Sequence, residues 1–425
     1  MLAHHFPPAG GSGSNRALAF ARYLPEYGWH PTVVTPGADW AANRDDALLA
    51  ELPRQVRVVR TRSWEARPTH AASQPAPTLP GRAPNALRRQ LGHLKRFPDA
   101  HVGWLPFALA AARRQSYAVA YSSSGPFTSH VVGLLLRHVT GKPWVLELRD
   151  GWYRWNRAIF PDYPAWRDAL ERRLEAAAIR RADRVIVVTD RMAEAFGRQY
   201  ADLPPRHVGV VSNGFDPMQF GAPAHFATPA QREPDEGWHV LHAGALYYGR
   251  SLAAFLQAVR QLQHADRGFA RDFRLTLMGT LDSGARREIE ASRLGACVQV
   301  LAQAEHAAAI RAMRAADALL LVANTTPGAE ATVPGKLFEY LAAGRPVIAV
   351  APTESSTADV LRQTGGGWLA TADSVEAIAA ALKHAYAQRE YRANASEVSR
   401  YDRRRLAGDL AHVFDEVTAC AARRF

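Results

Sequence analysis

Short apolar runs rich in valine and isoleucine alternate with amphipathic stretches along most of the chain. In the first half these runs are HPTVVTP, QVRVVRT, AVAYSS, WVLELRD, RVIVVTD and HVGVVSN, and each has the look of a strand buried on both faces. After residue 237 the alternation restarts with WHVLHAG, FRLTLMG, ALLLVAN, RPVIAVA and GGWLA. Strands that alternate with helices predict parallel sheets with crossover helices.

Between the two series of runs, residues 217–237 are rich in proline and glycine and show no periodicity, which predicts a linker. The pattern therefore predicts an α/β fold with two doubly wound, Rossmann-like domains, residues 1–216 and 238–400. Ligands of such sheets bind beyond the carboxyl ends of the strands, so we expect the domains to face an interdomain cleft. Residues 401–425 predict an amphipathic helix that packs back across the domains.

The composition is ordinary for a globular protein except for its charge. The chain has 425 residues and a formal net charge of +12, which phosphorylated substrates, anionic lipid, nucleic acid or a merely solvated arginine-rich surface would explain. No stretch is apolar for the ~20 residues that span a bilayer, and the first residues predict no signal peptide. Cys297 and Cys420 follow no metal or redox spacing. We therefore expect a cytoplasmic protein.

A glycine-rich turn opens a predicted helix in the segment PPAGGSGSNR. We expect Ser12 or Ser14 to cap that helix. Free backbone N–H groups at such a start suit an anion, and Arg16 adds a positive charge one turn in. Gly11 and Gly13 match the dinucleotide-binding fingerprint, but Arg16 stands where its third glycine belongs. The alternative is a tight turn that holds no ligand.

Two further strand ends in the first half carry polar side chains. The run WVLELRD ends in Arg149 and Asp150, and the segment YSSSGPFTSH places serines at another strand end before a helix that carries His130. The nucleophile-elbow pattern is absent from it. A surface ion pair and a structural histidine are the alternatives.

The segment LHAGALYYGRS predicts a strand that ends at Gly244, with Arg250 just before a helix. An arginine in that position can form two parallel hydrogen bonds to a diphosphate. In a chain as basic as this one, a purely structural arginine at a helix start is the alternative.

The segment VPGKLFEYLAAGRPVIAV predicts a helix followed by a strand, with Pro334 at the first helical position. Lys336 and Glu339 share a face because they are three residues apart. A lysine is electrostatically disfavoured at a helix start unless an anion binds there. We therefore expect the helix start, Gly335 and Lys336 to hold a phosphate, with Glu339 accepting hydrogen bonds from sugar hydroxyls. The alternative is a plain surface ion pair.

Taken in order, FPPAGGSGSNR, KPWVLELRD, ADRVIVVTD, VVSNGFDP, GALYYGR and PGKLFEYLAAGRPVIA resemble the retaining glycosyltransferases of the GT-B fold, in the large family 4. These segments span nearly the whole chain. The resemblance implies a nucleoside diphosphate sugar as donor, held mainly by the second domain, and a saccharide or lipid-linked acceptor on the first domain. It also implies transfer with retention of configuration, without a protein nucleophile, a metal or another cofactor.

The resemblance implies roles for single residues as well. Arg250 matches the family arginine on the donor diphosphate, and Glu339 matches the second glutamate of the family's paired-glutamate motif, on the ribose. Gly11, Gly13 and Arg16 match the first-domain loop that closes on the donor phosphates. From the residues themselves, Gly244, Gly335 and Lys336 complete the expected donor side, and Ser124, His130 and Asp150 are the acceptor-side candidates.

The chain departs from the family pattern at two positions. Ala331 stands where the first glutamate belongs, and the neighbouring Glu330 could replace it only if the loop shifts. Phe255 stands where a lysine often follows the arginine, so we expect Lys336 to supply that charge.

Basic and apolar residues interleave over residues 85–114, in the segment NALRRQLGHLKRFPDAHVGWLPFALAAARR. This composition predicts a peripheral contact with anionic lipid on the inner face of the plasma membrane, and an acceptor for polysaccharide or glycolipid biosynthesis at that surface. An ordinary helix pair with a solvated basic face is the alternative.

Two other functions remain open from the sequence. A sugar-nucleotide epimerase or hydrolase could use the same cleft, because a fold does not fix the chemistry. A non-catalytic basic protein that binds nucleic acid is disfavoured, because the basic residues are scattered and the chain has neither zinc-finger spacing nor an RNA-binding aromatic signature. We expect no nucleic-acid partner.

Overall fold

The structure is a computed structural model that describes residues 1–41, 44–65, 86–153, 163–220, 237–246, 250–326, 328–388 and 391–423. The chain divides into two compact units. Unit 1 comprises Met1–Ser212 together with Arg403–Phe425, and unit 2 comprises Asn213–Asp402. Each unit is an α/β fold built on a parallel sheet.

Among the described residues of unit 1, six strands pair in parallel: β1 Thr32–Pro36, β2 Arg57–Thr61, β3 Ala120–Ser123, β4 Trp144–Leu148, β5 Arg184–Val187 and β6 Val208–Val210. Two strands, β1 and β2, pair with each other, and the other four follow in the order β3-β4-β5-β6. Leu2 joins the two groups, because it forms parallel bridges to both Val34 and Ser122.

The helices of unit 1 that precede unit 2 in the chain connect these strands. They are α1 Ser12–Tyr23, α2 Ala47–Ala50, α3 Ala86–Lys95, α4 Leu105–Arg113, α5 Thr128–Thr140, α6 Ala165–Arg181 and α7 Asp190–Gln199. Short 3-10 turns occupy Leu24–Tyr27, Ala38–Trp40 and Val102–Trp104. Trp104, Trp144 and Trp152 are among the largest fully buried side chains.

All six predicted strands of the first half are present, but not all are buried on both faces. Strands β1, β3, β4 and β5 are largely buried, whereas every residue of β2 and β6 is exposed or half-buried. The expectation of full burial was wrong for β2 and β6 because they lie at the two edges of the sheet, where a strand has one neighbour.

Unit 2 is built on a six-stranded parallel sheet in the order β12-β11-β10-β7-β8-β9. Its strands are β7 Trp238–Ala243, β8 Phe273–Met278, β9 Val298–Leu301, β10 Ala318–Val322, β11 Val347–Val350 and β12 Gly367–Ala370. Strands β10 and β11, each with a neighbour on both sides, run in register from Leu319 opposite Val347 to Val322 opposite Val350.

The helices of unit 2 begin with short polar caps at several positions. They are α8 Pro217–Phe220, α9 Ala253–Ala265, α10 Arg267–Asp272, α11 Ser283–Ser292, α12 His306–Ala315, α13 Lys336–Ala342, α14 Ser356–Thr364, α15 Val375–Ala387 and α16 Ala395–Val398, with 3-10 turns at Ala329–Ala331 and Ser399–Tyr401. The side chains of Asp266, Asp282, Ser355 and Ser374 accept backbone N–H groups at the starts of α10, α11, α14 and α15.

The chain returns from unit 2 to unit 1 at its carboxyl end. Helix α17, Arg403–Ala422, packs Leu406, Leu410 and Phe414 against Phe20 and Leu24 of unit 1. A turn of helix, α8, occupies the start of the predicted linker, and residues 221–236 of that linker lie outside the described residues. In the part of the chain that the structure describes, no helix is both long and apolar enough to cross a membrane.

Candidate functional site

His242 lies at the carboxyl end of β7 and is fully buried. Its Nδ1 lies 2.9 Å from the carbonyl oxygen of Leu320. A carbonyl oxygen only accepts hydrogen bonds, so Nδ1 carries the proton and Nε2 presents a lone pair. Burial, with the charge of Lys336 nearby, holds the pKa of His242 well below its ordinary value. The imidazole is therefore a neutral acceptor at physiological pH.

Lys336, the first residue of α13, places its Nζ 3.2 Å from Nε2 of His242. Burial and the positive charge of Arg250 lower the pKa of Lys336 to about 7, while Glu339 favours the charged form. The ammonium thus donates to the neutral imidazole of His242 and is repelled by the positive charge of Arg250. An anion bound at this point would relieve the repulsion and favour the protonated lysine.

Gly244 provides the space in which the lysine lies. Its φ is +119°, and a Cβ built there would come within 2.8 Å of Nζ and 3.2 Å of Cε of Lys336. Any other residue would be strained and would also collide with the lysine. This position therefore requires glycine for two independent reasons.

Arg250 completes the cationic group of unit 2. Its Nη1 donates to the carbonyl oxygen of Ala245 at 3.2 Å, and its charge lowers the pKa of both Lys336 and His242. The structure thus brings together Gly244, Arg250, Lys336 and Glu339. Two cations and one carboxylate leave a net positive charge, which suits an anionic ligand.

Helix α13 is fixed to the end of β7 by a buried tyrosine. The hydroxyl of Tyr340 accepts the N–H of Ala243 at 2.8 Å and donates to the carbonyl oxygen of the same residue at 3.2 Å. Leu337, Phe338 and Leu341 form a buried stripe along this helix. The position of Lys336 is therefore set by packing on one side and by the Tyr340 hydroxyl on the other.

The start of α13 differs from the expectation. Gly335 is the N-cap and is exposed, and Pro334 precedes it, so the prediction that Pro334 is the first helical residue was wrong. Glu330 is exposed on the 3-10 turn Ala329–Ala331, where its carboxylate accepts the N–H of Gly328 at 2.8 Å. No contact in the described residues joins Glu330 to Lys336.

In unit 1, Gly11 is the N-cap of α1 with φ +100°, and no side chain caps this helix. The expectation of a cap by Ser12 or Ser14 was wrong, because a backbone with positive φ favours glycine at that position. Gly13 lies in the first turn, and a Cβ there would come 3.4 Å from Cβ of His5.

Arg16 lies inside unit 1 rather than at an open helix start. Its guanidinium contacts Oε1 of Glu147 at 2.7 Å and the carbonyl oxygens of Val211 and Ser212 at 2.8 and 2.6 Å. Burial opposes the charge on Glu147, yet Arg16 lowers the pKa of that carboxyl. The expectation that Arg16 binds donor phosphates was wrong, because its guanidinium is buried and already neutralised by the buried carboxylate of Glu147.

Two of the three acceptor-side candidates are also interior. The Ser124 hydroxyl accepts the N–H of Arg149 at 2.8 Å, and Nδ1 of His130 lies 2.8 Å from the hydroxyl of Ser122. Ser124 and His130 are fully buried, and burial lowers the pKa of His130 to about 3. They therefore hold strand ends together, whereas Asp150 is half-buried just after β4.

His242 was not among the predicted site residues. The sequence feature that could have identified it is its position two residues before Gly244, at the end of a predicted strand. Its partner Lys336 lies 94 residues further along the chain, so no local pattern could have paired them.

Two family profiles match the chain on either side of residues 220–237. The one described as Glycosyltransferase Family 4 matches residues 10–219, and the one described as Glycosyl transferases group 1 matches residues 238–388. The chain is a group 1 glycosyltransferase of the GT-B fold. This confirms the predicted fold class and the predicted enzyme class.

Solved structures similar to this glycosyltransferase cover nearly its whole length. A sucrose-phosphate synthase (tll1590) from Thermosynechococcus elongatus is 19% identical with a TM-score of 0.65, over 99% of this chain and 98% of that chain. Anabaena Alr3699/HepE in complex with UDP and glucose is 17% identical with a TM-score of 0.62, over 98% and 99%. The lipopolysaccharide outer core galactosyltransferase WaaB in its apo form is 13% identical with a TM-score of 0.57, also over 98% and 99%.

At these identities the likeness establishes the fold of the glycosyltransferase and does not identify its substrates. No curated protein matches it significantly in sequence.

Proposed function

We propose that this glycosyltransferase transfers a hexose from a nucleoside diphosphate sugar to a hydroxyl group, with retention of configuration. Arg250 and Lys336 are proposed to hold the diphosphate, and Glu339 the ribose hydroxyls. The observation that supports this most is the meeting of two cations at the carboxyl end of β7, where ligands of parallel sheets bind.

The chemistry that these residues supply is stabilisation of the leaving group. As the bond between the anomeric carbon and the diphosphate oxygen breaks, negative charge grows on the diphosphate, and fixed cations stabilise that charge most in the transition state. The acceptor oxygen forms the new bond to the anomeric carbon on the same face. Its proton passes to the departing phosphate oxygen, so the step requires neither a protein base nor a metal.

Lys336 is proposed to take the place of the lysine that often follows the arginine in this family. Phe255, at that position, is buried in the core of unit 2 and offers no charge. Lys336 reaches the neighbourhood of Arg250 from a different helix. The cation is thus supplied from α13 instead of α9.

The test is binding and turnover with uridine diphosphate and its sugars as the first probes, since one similar structure carries UDP and glucose. Arg250→Ala is expected to lower turnover by about 100-fold or more, the order found when one donor to a developing charge is removed. Arg271→Ala is the matched control, because Arg271 is an exposed arginine of the same unit. Wild-type turnover in Arg250→Ala would refute the assignment.

The donor incubated without acceptor separates transfer from its rivals. A sugar-nucleotide epimerase would yield the epimeric sugar, and a hydrolase would release free sugar rapidly. The proposed transferase leaves most of the donor intact until an acceptor is added. The anomeric configuration of the product, read by NMR coupling constants, then tests retention.

The acceptor is proposed to be lipid-linked and reached at an anionic membrane surface. On α3, Leu91 and Leu94 are exposed, and the basic residues Lys95 and Arg96 follow them. On α6, Trp166 is exposed, and its Nε1 donates to Oε1 of Gln90 on α3 at 2.6 Å. Exposed apolar side chains beside cations suit the boundary between lipid headgroups and acyl chains.

Flotation with vesicles of phosphatidylcholine, with and without phosphatidylglycerol, tests this contact at low salt. Leu94→Asp is expected to reduce flotation with the acidic vesicles. Leu301→Asp is the control, because Leu301 is an exposed leucine on edge strand β9 of unit 2. Equal flotation of both variants, or no flotation of the wild type, would refute the membrane proposal. The proposal for the donor site would be unaffected.

A further inference from the structure

Three histidines that the proposed transfer does not use meet in unit 1. His4 and His5 follow the bridge at Leu2, and His101 precedes the 3-10 turn Val102–Trp104. Each offers one ring nitrogen, and the three nitrogens lie within 4.8 Å of one another. The ring centroids are 4.2 Å apart for His4 and His101, 5.1 Å for His4 and His5, and 5.7 Å for His5 and His101.

A carboxylate orients two of the rings. Oε2 of Glu65 lies 2.9 Å from Nδ1 of His101, and Oε1 lies 3.4 Å from Nε2 of His4. The hydroxyl of Ser63 donates to Oε1 at 2.8 Å. An ionised carboxylate only accepts hydrogen bonds, so it favours a proton on His101 Nδ1 and on His4 Nε2. The neutral rings then present lone pairs at His101 Nε2 and His4 Nδ1.

His4 provides a second, independent observation. Its side chain is almost completely buried, and its Nδ1 has no hydrogen-bond partner among the residues that the structure describes. A buried nitrogen without a partner is rare in folded proteins because the loss of water is not compensated. A lone pair in that position is satisfied by a donor or by a metal ion.

We propose that His4, His5 and His101 bind a divalent transition metal ion through one ring nitrogen each, with zinc as the best fit. Imidazole nitrogen is a preferred ligand of zinc, and three histidines leave one position for water, as in open zinc sites. The carboxylate of Glu65 behind two of the rings is the partner that metal-binding histidines usually have.

The dimensions of the group suit this ion after a small movement. Tetrahedral ligands at ~2.1 Å from zinc are about 3.4 Å apart, so the three nitrogens approach one another by roughly 1 Å on binding. The His101 side chain is 32% exposed, which gives the ion an entry path, whereas the His4 side chain is only 4% exposed. The ion would join residues 4–5 to residue 101 and so stabilise unit 1.

This site is separate in the chain from the cations proposed for the donor. Arg250 and Lys336 belong to unit 2, and the histidines belong to unit 1. Metal binding is measured without substrate, so its failure leaves the transferase proposal unaffected.

The experiment uses the full chain without a polyhistidine tag, freed of metal by a chelator and titrated at pH 7.5. Calorimetry with Zn²⁺ is expected to give one equivalent with a dissociation constant of about 10 µM or tighter. Co²⁺ as a spectroscopic probe is expected to give visible absorption bands typical of fewer than six ligands. Zn²⁺ is expected to raise the melting temperature of unit 1 by mass action.

His101→Ala is expected to weaken Zn²⁺ binding at least tenfold, because it removes one of three ligands. His412→Ala is the control, since His412 is an exposed histidine that also lies beside a carboxylate, Glu416 at 3.5 Å. His101→Gln, checked by circular dichroism, serves if the alanine variant fails to fold. The absence of stoichiometric binding below about 100 µM, or equal affinity in the His101 and His412 variants, would overturn the site.

Discussion

Replacing Lys336 by methionine is expected to stabilise unit 2 while it removes affinity for a diphosphate. The pKa of this lysine is lowered from its ordinary 10.5 to about 7, first by burial and then by Arg250. The unfolded chain keeps the proton up to the ordinary pKa, whereas the folded chain releases it above about 7. The lysine therefore lowers stability most at and below pH 7, and progressively less as the pH rises toward 10.5.

The size of the effect follows from that difference in pKa. At pH 7 it corresponds to a cost of about 4 kcal/mol, as an upper limit because water reaches the half-buried side chain and screens its charge. Methionine also loses the hydrogen bond to His242, which offsets about 1 kcal/mol. The net expectation is a gain of about 1–3 kcal/mol in the free energy of unfolding, or roughly 3–9 °C in the melting temperature of a domain of this size.

Scanning calorimetry of the wild type and of Lys336→Met at pH 7 and pH 9 measures this gain. It should shrink by about 1–2 kcal/mol between the two pH values, because the wild-type lysine is already neutral in the folded chain at pH 9. Lys383→Met, at an exposed lysine on α15, should change little at either pH. A lower melting temperature for Lys336→Met at pH 7, or a gain independent of pH, would refute the reasoning.

Other changes test the remaining contacts. Gly244→Ala should cost about 1–2 kcal/mol of stability and weaken uridine diphosphate binding, because its Cβ would lie 2.8 Å from Nζ of Lys336. The control Gly295→Ala, whose Cβ would meet nothing within 4 Å, should change neither stability nor binding. Thermal shift measured with and without nucleotide distinguishes the two variants. Binding of uridine diphosphate at pH 8 should take up a proton, since an anion raises the lowered pKa of Lys336. Calorimetry in buffers of different ionisation enthalpy measures this uptake and would show none if the lysine stays neutral. Arg16→Met should destabilise unit 1 by about 3–5 kcal/mol because it leaves Glu147 charged and buried, and Arg16→Met with Glu147→Leu should recover most of that loss in urea unfolding.

The alternation of strands and helices could be predicted from the sequence because it depends on the local periodicity of apolar residues. Every predicted strand appears, and within the part of the chain that the structure describes one strand was missed. Strand β9, Val298–Leu301, lies at the edge of its sheet and is mostly exposed. Its residues therefore lack the buried apolar run by which the other strands were recognised.

The chemistry of single residues was less predictable, because it depends on partners far along the chain. The pair of Arg16 and Glu147 joins residues 131 positions apart, and this contact converts a predicted phosphate ligand into an internal ion pair. His242 and Lys336 are likewise joined across 94 positions. Local pattern identified the lysine as unusual, whereas only the folded chain shows what its ammonium contacts.

The most direct test of the central claim is a crystal structure of the full chain with uridine diphosphate, or with the nucleoside diphosphate that stabilises it best in a thermal-shift panel. We predict diphosphate oxygens within about 3 Å of the Arg250 guanidinium and of Nζ of Lys336, with Nζ still contacting His242. A diphosphate bound elsewhere, with neither Arg250 nor Lys336 in contact with it, would contradict the claim.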